Sequence, residues 1–278
     1  MLTLLTAEEI TAVNIKDKIK AVFRPYSITA DIRRSGDISI MNINYRSRRG
    51  RIRFDKIYDL CIGKRKTLLC SRDIDLDGTY FRRFDDREFR TILMGNFICS
   101  VLEKADTPPS CLSICYYDPH AEYPSLLGRL TQFSDLITVI SDMPRFYENE
   151  ADRIAVENGA AVSVSNSAEN LRSTDILIAP TLIEKNLPLS PETTVFTVAE
   201  PSVPCKGTVI TDYHASLMQE YSQLRNDNFH DEYIMAAIYS LCGKKELAQT
   251  VPSSCSNNTD IFTLEGTVRL IKSGCIKN

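Results

Sequence analysis

The chain has 278 residues, of which 43% are hydrophobic and 25% are charged, values close to those of ordinary folded domains. No apolar run approaches the roughly 20 residues that a membrane-spanning helix needs, and the first residues lack the basic start and cleavage site of a signal peptide. The nine cysteines are an odd number without a CxxC pair, a pattern typical of reduced thiols. We therefore expect a cytoplasmic protein with no membrane partner.

Charge is distributed unevenly along the chain. Residues 1–106 carry 21 Lys and Arg against 15 Asp and Glu, whereas the remainder carries 12 against 21. The adjacent Pro108 and Pro109 separate the two regions, and proline cannot continue a helix. We predict a basic α+β N-terminal domain at 1–106 and a second domain at 110–278.

The N-terminal region alternates β-rich runs with turn signals. Strands are predicted at Asp37–Tyr45, Arg51–Tyr58 and Thr67–Cys70, with a hairpin turn at Arg49-Gly50 between the first two. Apolar residues then recur at helical spacing, which predicts a helix over Asp86–Leu102.

Arginines crowd the predicted hairpin. On a hairpin they could contact phosphates, with Tyr45 and Phe54 available for stacking. A solvated face, or contact with an acidic surface, is the favoured interpretation, so nucleic acid is not the expected partner. The cluster consists of Arg46, Arg48, Arg49, Arg51 and Arg53.

After Pro109 short apolar runs alternate with helical patterns. One predicted helix is opened by Pro124, a second ends at Gly159, and two more lie around His214–Leu224 and Asp231–Cys242. Such alternation predicts right-handed βαβ units, and hence an α/β, doubly wound, mostly parallel Rossmann-like sheet. The predicted strands are Leu112–Tyr117, Leu136–Ile140, Ala161–Val164, Asp175–Ile178, Thr194–Val198 and Thr208–Thr211.

The turn after the first of these strands has no glycine. A dinucleotide-binding fold needs glycines there so that backbone amides can approach the pyrophosphate. The chain has instead the segment Asp118–Glu122, DPHAE, with a carboxylate at each end. This argues against ordinary NAD binding, although Asp142 follows the second strand where a ribose-binding acid belongs.

Polar residues follow the predicted strands at the edge where parallel α/β sheets bind ligands. The imidazoles and carboxylates among them could hold a metal ion, with His120 and His214 as the candidate metal ligands. The competing interpretation places His214 on a packed helix face. The candidate ligand-binding residues are Asp118, His120, Asp142, Thr181, Glu200 and Asp212.

Two resemblances follow from these segments. The stretch LITVISDMPRFYENEADRIAVENGAAV followed by DILIAP resembles the second and third units of NAD(P)-binding Rossmann domains. The segments ISDMPRF, DILIAPTLIEKNLP, EPSVP and KGTVITDY resemble, in order and spacing, the Rossmann-like heavy-metal-chelation domain family over about residues 112–213. That family likewise lacks a glycine loop after its first strand. Ala179-Pro180 departs from the threonine–glycine turn expected after the fourth strand.

These observations leave three functional hypotheses open. The first is a protein that binds a small ligand or a metal ion at the rim of a degenerate Rossmann-like sheet. The second is an NAD(P)- or S-adenosylmethionine-dependent enzyme with an atypical first loop. The third is a non-catalytic interaction module that uses the arginine-rich hairpin. The sequence names no cofactor, and it contains no GxSxG elbow, Walker loop or HExxH motif.

Overall fold

The computed structural model describes residues 1–9, 26–47, 51–61, 66–169 and 171–275. The helices in these residues are α1 (Phe54–Leu60), α2 (Arg87–Ala105), α3 (Leu127–Leu130), α4 (Pro144–Asn158), α5 (Asp231–Cys242) and α6 (Leu264–Cys275). The strands are β1 (Leu2–Glu9), β2 (Tyr26–Ser35), β3 (Ile38–Ser47), β4 (Thr67–Cys70), β5 (Arg82–Arg83), β6 (Ser113–Tyr117), β7 (Leu136–Ile140), β8 (Val162–Ser165), β9 (Ile176–Ala179), β10 (Thr194–Thr197), β11 (Thr208–Ile210), β12 (Asp212–His214), β13 (Ser254–Ser256) and β14 (Ile261–Thr263).

Across these ranges no helix combines the length and the apolar character needed to cross a membrane.

The chain forms two compact units whose limits differ from the predicted boundary near Pro108-Pro109. The first unit comprises Met1–Asp86 with Ser216–Leu247, and the second comprises Arg87–Ala215 with Ala248–Asn278. Helix α2 belongs to the second unit because it packs against α6 and β12. The segment Ser216–Leu247 belongs to the first unit although it is distant in sequence. Its Asn226 side-chain amide donates to Asn42 Oδ1 at 3.1 Å.

The first unit is built on a five-stranded sheet of order β2-β3-β1-β4-β5. β2 and β3 are antiparallel, and β1 runs parallel to both β3 and β4. The observed hairpin turn lies at Gly36-Asp37, between β2 and β3. The predicted turn at Arg49-Gly50 lies outside the described residues.

Helix α1 replaces the strand predicted at Arg51–Tyr58, and that prediction was wrong. Phe54, Ile57 and Cys61 follow helical spacing and pack into the core of the first unit. Asp55 in the first turn suits a helix N-terminus. Two arginines of the predicted cluster form exposed ion pairs with nearby carboxylates, Arg46 with Glu8 at 2.8 Å and Arg53 with Asp55 at 2.9 Å.

The second unit is built on a six-stranded, fully parallel sheet of order β11-β10-β9-β6-β7-β8. Counted along the unit, this is the order 3-2-1-4-5-6 of the Rossmann fold. The α/β, Rossmann-like fold class predicted from the sequence is therefore confirmed. The strand order reverses between β6 and β9, which is the position where such sheets bind ligands.

The connections of this sheet depart from the regular pattern on both faces. The helix predicted after Pro124 is only a 3-10 turn followed by the one-turn α3. The helix predicted to end at Gly159 is confirmed as α4, and Gly159 closes it with φ 70°. On the opposite face, irregular chain with Ile183, Leu187 and Leu189 covers the sheet where a crossover helix would normally pack.

The helix predicted around His214–Leu224 was wrong for the first half of that range. His214 ends strand β12, which forms an antiparallel sheet with β13 and β14. A 3-10 helix then covers Gln219–Leu224. Strand β11 ends at Ile210, and the residues after it enter the antiparallel sheet. They do not form a loop at the carboxyl edge of the parallel sheet.

Candidate functional site

A cavity of about 420 Å³ opens at the switch point of the parallel sheet, within the second unit. Its wall is formed by chain at the carboxyl ends of β6, β7, β9 and β10. This volume lies in the range of small-molecule sites, about 300–1,000 Å³. The side chains that matter for its chemistry are Arg87, Tyr117, His120, Asp142, Thr181 and Lys185.

The loop after β6 is organised around the buried side chain of Asp118. One carboxylate oxygen accepts a hydrogen bond from the Glu122 backbone N–H at 3.1 Å. The other accepts bonds from the Tyr123 N–H at 2.9 Å and from the Tyr147 hydroxyl at 2.7 Å. Asp118 has no exposed surface. Burial and the hydrogen bond to Asp118 both raise the pKa of Tyr147.

This arrangement occupies the donors that a Rossmann domain offers to phosphate. In a dinucleotide site, free backbone N–H groups at the first strand–helix turn bind the pyrophosphate, helped by the helix dipole. Here the amides of Glu122 and Tyr123 already bind a carboxylate of the same loop. The one-turn α3 also supplies little dipole. These amides are therefore not available to a phosphate. The Asp118 carboxylate binds its own loop and Tyr147 instead of a ligand.

The backbone of the loop is fixed by further contacts. Ala121 adopts φ 54°, a left-handed conformation that non-glycine residues seldom take. The carbonyl of Pro119 accepts bonds from the Asp142 N–H at 3.1 Å and from the Ser141 hydroxyl at 3.2 Å. The ends of β6 and β7 are thus tied together beneath the cavity.

Two hydroxyl groups of the cavity wall have no hydrogen-bond partner among the described residues. Thr181 Oγ1, directly after β9, is buried and unpartnered. The Tyr117 side chain, at the end of β6, is 2% exposed, and no hydrogen bond involves its hydroxyl within the same part of the chain. Burial raises the pKa of Tyr117, and the nearby Lys185 ammonium opposes that rise. Of the two, only the Thr181 hydroxyl is fully buried, and a buried hydroxyl without a partner requires an explanation such as a functional role or a bound group.

An ion pair bridges the loops that follow β7 and β9. Lys185 Nζ lies 2.9 Å and 3.0 Å from the two carboxylate oxygens of Asp142. The Lys185 and Asp142 side chains are 62% and 47% exposed, so the pair lies at the solvent-facing part of the cavity. The hydrogen bond to Asp142 raises the pKa of Lys185.

The structure brings together three of the predicted site residues and separates the others. His120, Asp142 and Thr181 line the cavity at the switch point. Glu200 lines a different cavity, where Asn258 donates to its carboxylate at 2.9 Å. Asp212 pairs with Arg90 at 3.0 Å.

The predicted metal ligands are also separated. His214 lies in β12, where its Nε2 is 2.8 Å from Ser256 Oγ, and His120 lies in the loop after β6. Among the residues that the structure describes, no group of three His, Cys, Asp or Glu side chains has the geometry to hold a metal ion. The arrangement of these side chains therefore does not support the predicted metal site.

Sequence reasoning missed Tyr117, Lys185 and Arg87. Tyr117 is the last residue of a strand, and strand alternation could have identified it as facing the crevice. Lys185 lies six residues beyond β9, and Arg87 begins a helix before the sheet. No strand-end pattern marks either of them, because the irregular β9–β10 connection and α2 bring them to the cavity.

No model of a known protein family matches the chain, and no curated protein sequence matches it. Among solved structures, Δ1-pyrroline-2-carboxylate reductase from Thermococcus litoralis aligns at 15% identity and TM-score 0.31, over 40% of this chain and 36% of that one. A probable ornithine cyclodeaminase from Bordetella pertussis Tohama I aligns at 16% identity and TM-score 0.30, over 68% and 52%. L-tryptophan dehydrogenase from Nostoc punctiforme aligns at 11% identity and TM-score 0.37, over 99% and 88%.

The chain thus spans about a third of the first of these proteins and about half of the second. Similarity at these levels assigns neither a family nor a ligand, and the fold assignment rests on the strand order. The resemblance to the heavy-metal-chelation family gains no support from these comparisons.

Proposed function

We propose that the second unit binds a small polar molecule, without a pyrophosphate group, in the cavity between the carboxyl ends of β6 and β9. Two observations carry this proposal: Thr181 lines a cavity at the switch point, and its buried hydroxyl has no hydrogen-bond partner among the described residues. A buried hydroxyl without a partner costs about 1–3 kcal/mol. Rotation of the Thr181 side chain toward the cavity would let a bound ligand hydrogen-bond the hydroxyl and remove that cost.

The amides of the loop after β6 are already hydrogen-bonded, so we expect a ligand without a phosphate group. A phosphate would have to displace the Asp118 carboxylate from the amides of Glu122 and Tyr123 and leave that carboxylate buried without partners. Burying an unpaired charge is strongly unfavourable. The cavity therefore favours a compact ligand held by hydroxyls and by the exposed ion pair.

Thr181→Val tests this assignment through opposite effects on stability and binding. Valine keeps the shape and removes the unsatisfied group, so the free energy of unfolding of the ligand-free protein should rise or change by less than about 0.5 kcal/mol. A thermal-shift screen of polar metabolites should yield compounds that raise the melting temperature of the wild-type protein. Their affinity for T181V, measured by titration calorimetry, should fall about tenfold.

Thr193→Val is the matched control for this substitution. Its hydroxyl is buried and already donates to the Thr174 carbonyl at 2.8 Å, at the opposite end of β10. T193V should lower stability by about 1 kcal/mol and leave binding unchanged. Equal affinity of T181V and wild-type protein for every compound found would refute the proposed site, as would the absence of any binder.

A second candidate function, a nucleotide-cofactor-dependent enzyme, is favoured by one observation. The sheet has Rossmann strand order, and Asp142 follows its second strand at the place of a ribose-binding acid. Against it, the backbone amides of the first loop that would bind a pyrophosphate already bind the Asp118 carboxylate.

Titration calorimetry with NADH and NADPH separates the two candidates. The small-molecule proposal predicts no binding of either at millimolar concentration, because both carry a pyrophosphate. Saturable binding that Asp142→Ala abolishes would establish the second candidate in its place.

A further inference from the structure

We propose that the ligand of this cavity is a zwitterion of amino-acid size, whose carboxylate replaces Asp142 on Lys185 and whose ammonium replaces Lys185 on Asp142. This inference rests on the proposed small-molecule site and specifies the ligand's charge. Three features support it: the Lys185–Asp142 ion pair, the hydroxyls beside that pair, and the size of the cavity.

The ion pair joins the loops that follow two different strands, and both of its side chains line the cavity. Asp142 follows β7 and Lys185 follows β9, with β6 between these strands in the sheet. Both side chains are largely exposed, and exposed pairs of this kind contribute little to stability. The pair can therefore open at small cost.

The charge of the ligand determines whether opening the pair leaves a charge unpaired. An anionic ligand on Lys185 would leave Asp142 without its cation, and a cationic ligand on Asp142 would leave Lys185 without its anion. As the ligand fills the cavity it removes water from both groups, so an unpaired charge becomes more costly. A molecule that carries both charges pairs each protein group again. It is the class of ligand for which the exchange is electrostatically balanced.

The surrounding groups suit the remaining polar atoms of such a molecule. The Tyr117 hydroxyl lies close enough to Lys185 and Asp142 to interact electrostatically with both. Thr181 Oγ1 is a second hydroxyl without a partner among the described residues of the cavity. A cavity of about 420 Å³ accommodates a ligand of this size.

The test compares each zwitterion with derivatives that lack one charge. The proteinogenic L-amino acids, together with β- and γ-amino acids, are screened by thermal shift and titration calorimetry. Each binder is then compared with its N-acetyl derivative, which lacks the cation, and with its amide, which lacks the anion. We expect at least one amino acid to bind, and both derivatives of it to bind about tenfold more weakly or worse.

Variants of the pair provide the second arm. Lys185→Gln and Asp142→Asn should each weaken binding of the amino acid by about tenfold or more. Lys185→Gln should also reduce the difference between the amino acid and its amide, because the amide lacks the group that Lys185 contacts. Arg153→Gln is the matched control, since Arg153 forms ion pairs on α4 with Glu150 and with the exposed Glu157, outside the cavity lining. This variant should bind like wild-type protein.

The outcomes separate this inference from the proposed function. In one outcome, neutral or singly charged compounds are the only binders, and their affinity is lost in T181V but unchanged in K185Q. That result overturns the zwitterion and leaves the small-molecule site intact. Absence of binding by every compound, amino acids and neutral metabolites alike, overturns both.

Discussion

Asp118→Ala should lower the free energy of unfolding by about 3–5 kcal/mol, since each buried donor left without an acceptor costs about 1–3 kcal/mol. The substitution removes the common acceptor of two backbone amides and of the Tyr147 hydroxyl. Tyr147 is itself fully buried, so water cannot replace the lost carboxylate at its hydroxyl. Urea unfolding followed by far-UV circular dichroism measures the change.

Two companion variants make this prediction specific. Asp142→Ala removes an exposed carboxylate at the end of the neighbouring strand, and it should change stability by less than about 1 kcal/mol. Tyr147→Phe removes one of the three bonds and should cost about 1–2 kcal/mol. The double variant D118A/Y147F should lose less than the sum of the single losses, because both act on one hydrogen bond. Equal losses for D118A and D142A would show that the buried carboxylate does not organise the loop.

Gly207→Ala should lower stability by about 2–5 kcal/mol, which combines backbone strain of about 1–3 kcal/mol with the cost of a steric displacement of similar size. Gly207 has φ 94°, and a Cβ there would lie 2.2 Å from the carbonyl oxygen of Thr193. That oxygen accepts the N–H of Thr208 at 3.0 Å, the first residue of β11. Relief of the clash therefore displaces the edge strand from β10.

Gly159→Ala separates strain from clash. Gly159 lies in the same unit with φ 70°, but nothing lies within 4 Å of the Cβ position. Its replacement should cost only about 1 kcal/mol, the strain of a left-handed alanine. Thermal unfolding of the two variants side by side measures the difference. If G207A melts at or above the temperature of G159A, the contact with Thr193 does not constrain the edge of the sheet.

The parallel sheet could be predicted from the sequence because its strands are short apolar runs separated by turn signals. Leu136–Ile140 is correct at both ends, and the other five strands of this sheet are correct within a residue or so. Helix α4 was predictable for the same reason, since Gly159 marks its end. These signals are local, and each is present in a window of a few residues.

Two elements that were predicted incorrectly involve contacts with residues outside the segment itself. The Pro124 segment has apolar residues at helical spacing, but it forms only a 3-10 turn and the one-turn α3. The residue before it, Tyr123, is hydrogen-bonded through its N–H to Asp118. His214 has apolar neighbours suited to a helix, but pairing with β13, some forty residues later, makes it a strand. Neither partner can be identified from the segment itself.

The candidate site was predictable only in part, for a related reason. Strand-end reasoning identified His120, Asp142 and Thr181, which do line the cavity. It also included Asp118, whose carboxylate turns inward to its own loop, a choice that depends on Tyr147 lying against it. Lys185 could not be identified, because its position depends on the course of an irregular connection.

A crystal structure with a compound from the thermal-shift screen tests the central claim most directly. We expect a ligand between the carboxyl ends of β6 and β9, with a polar atom within hydrogen-bonding distance of Thr181 Oγ1. In that structure Asp118 should keep its bonds to the Glu122 and Tyr123 amides. A ligand bound elsewhere, or one whose phosphate has displaced Asp118 from those amides, would contradict it.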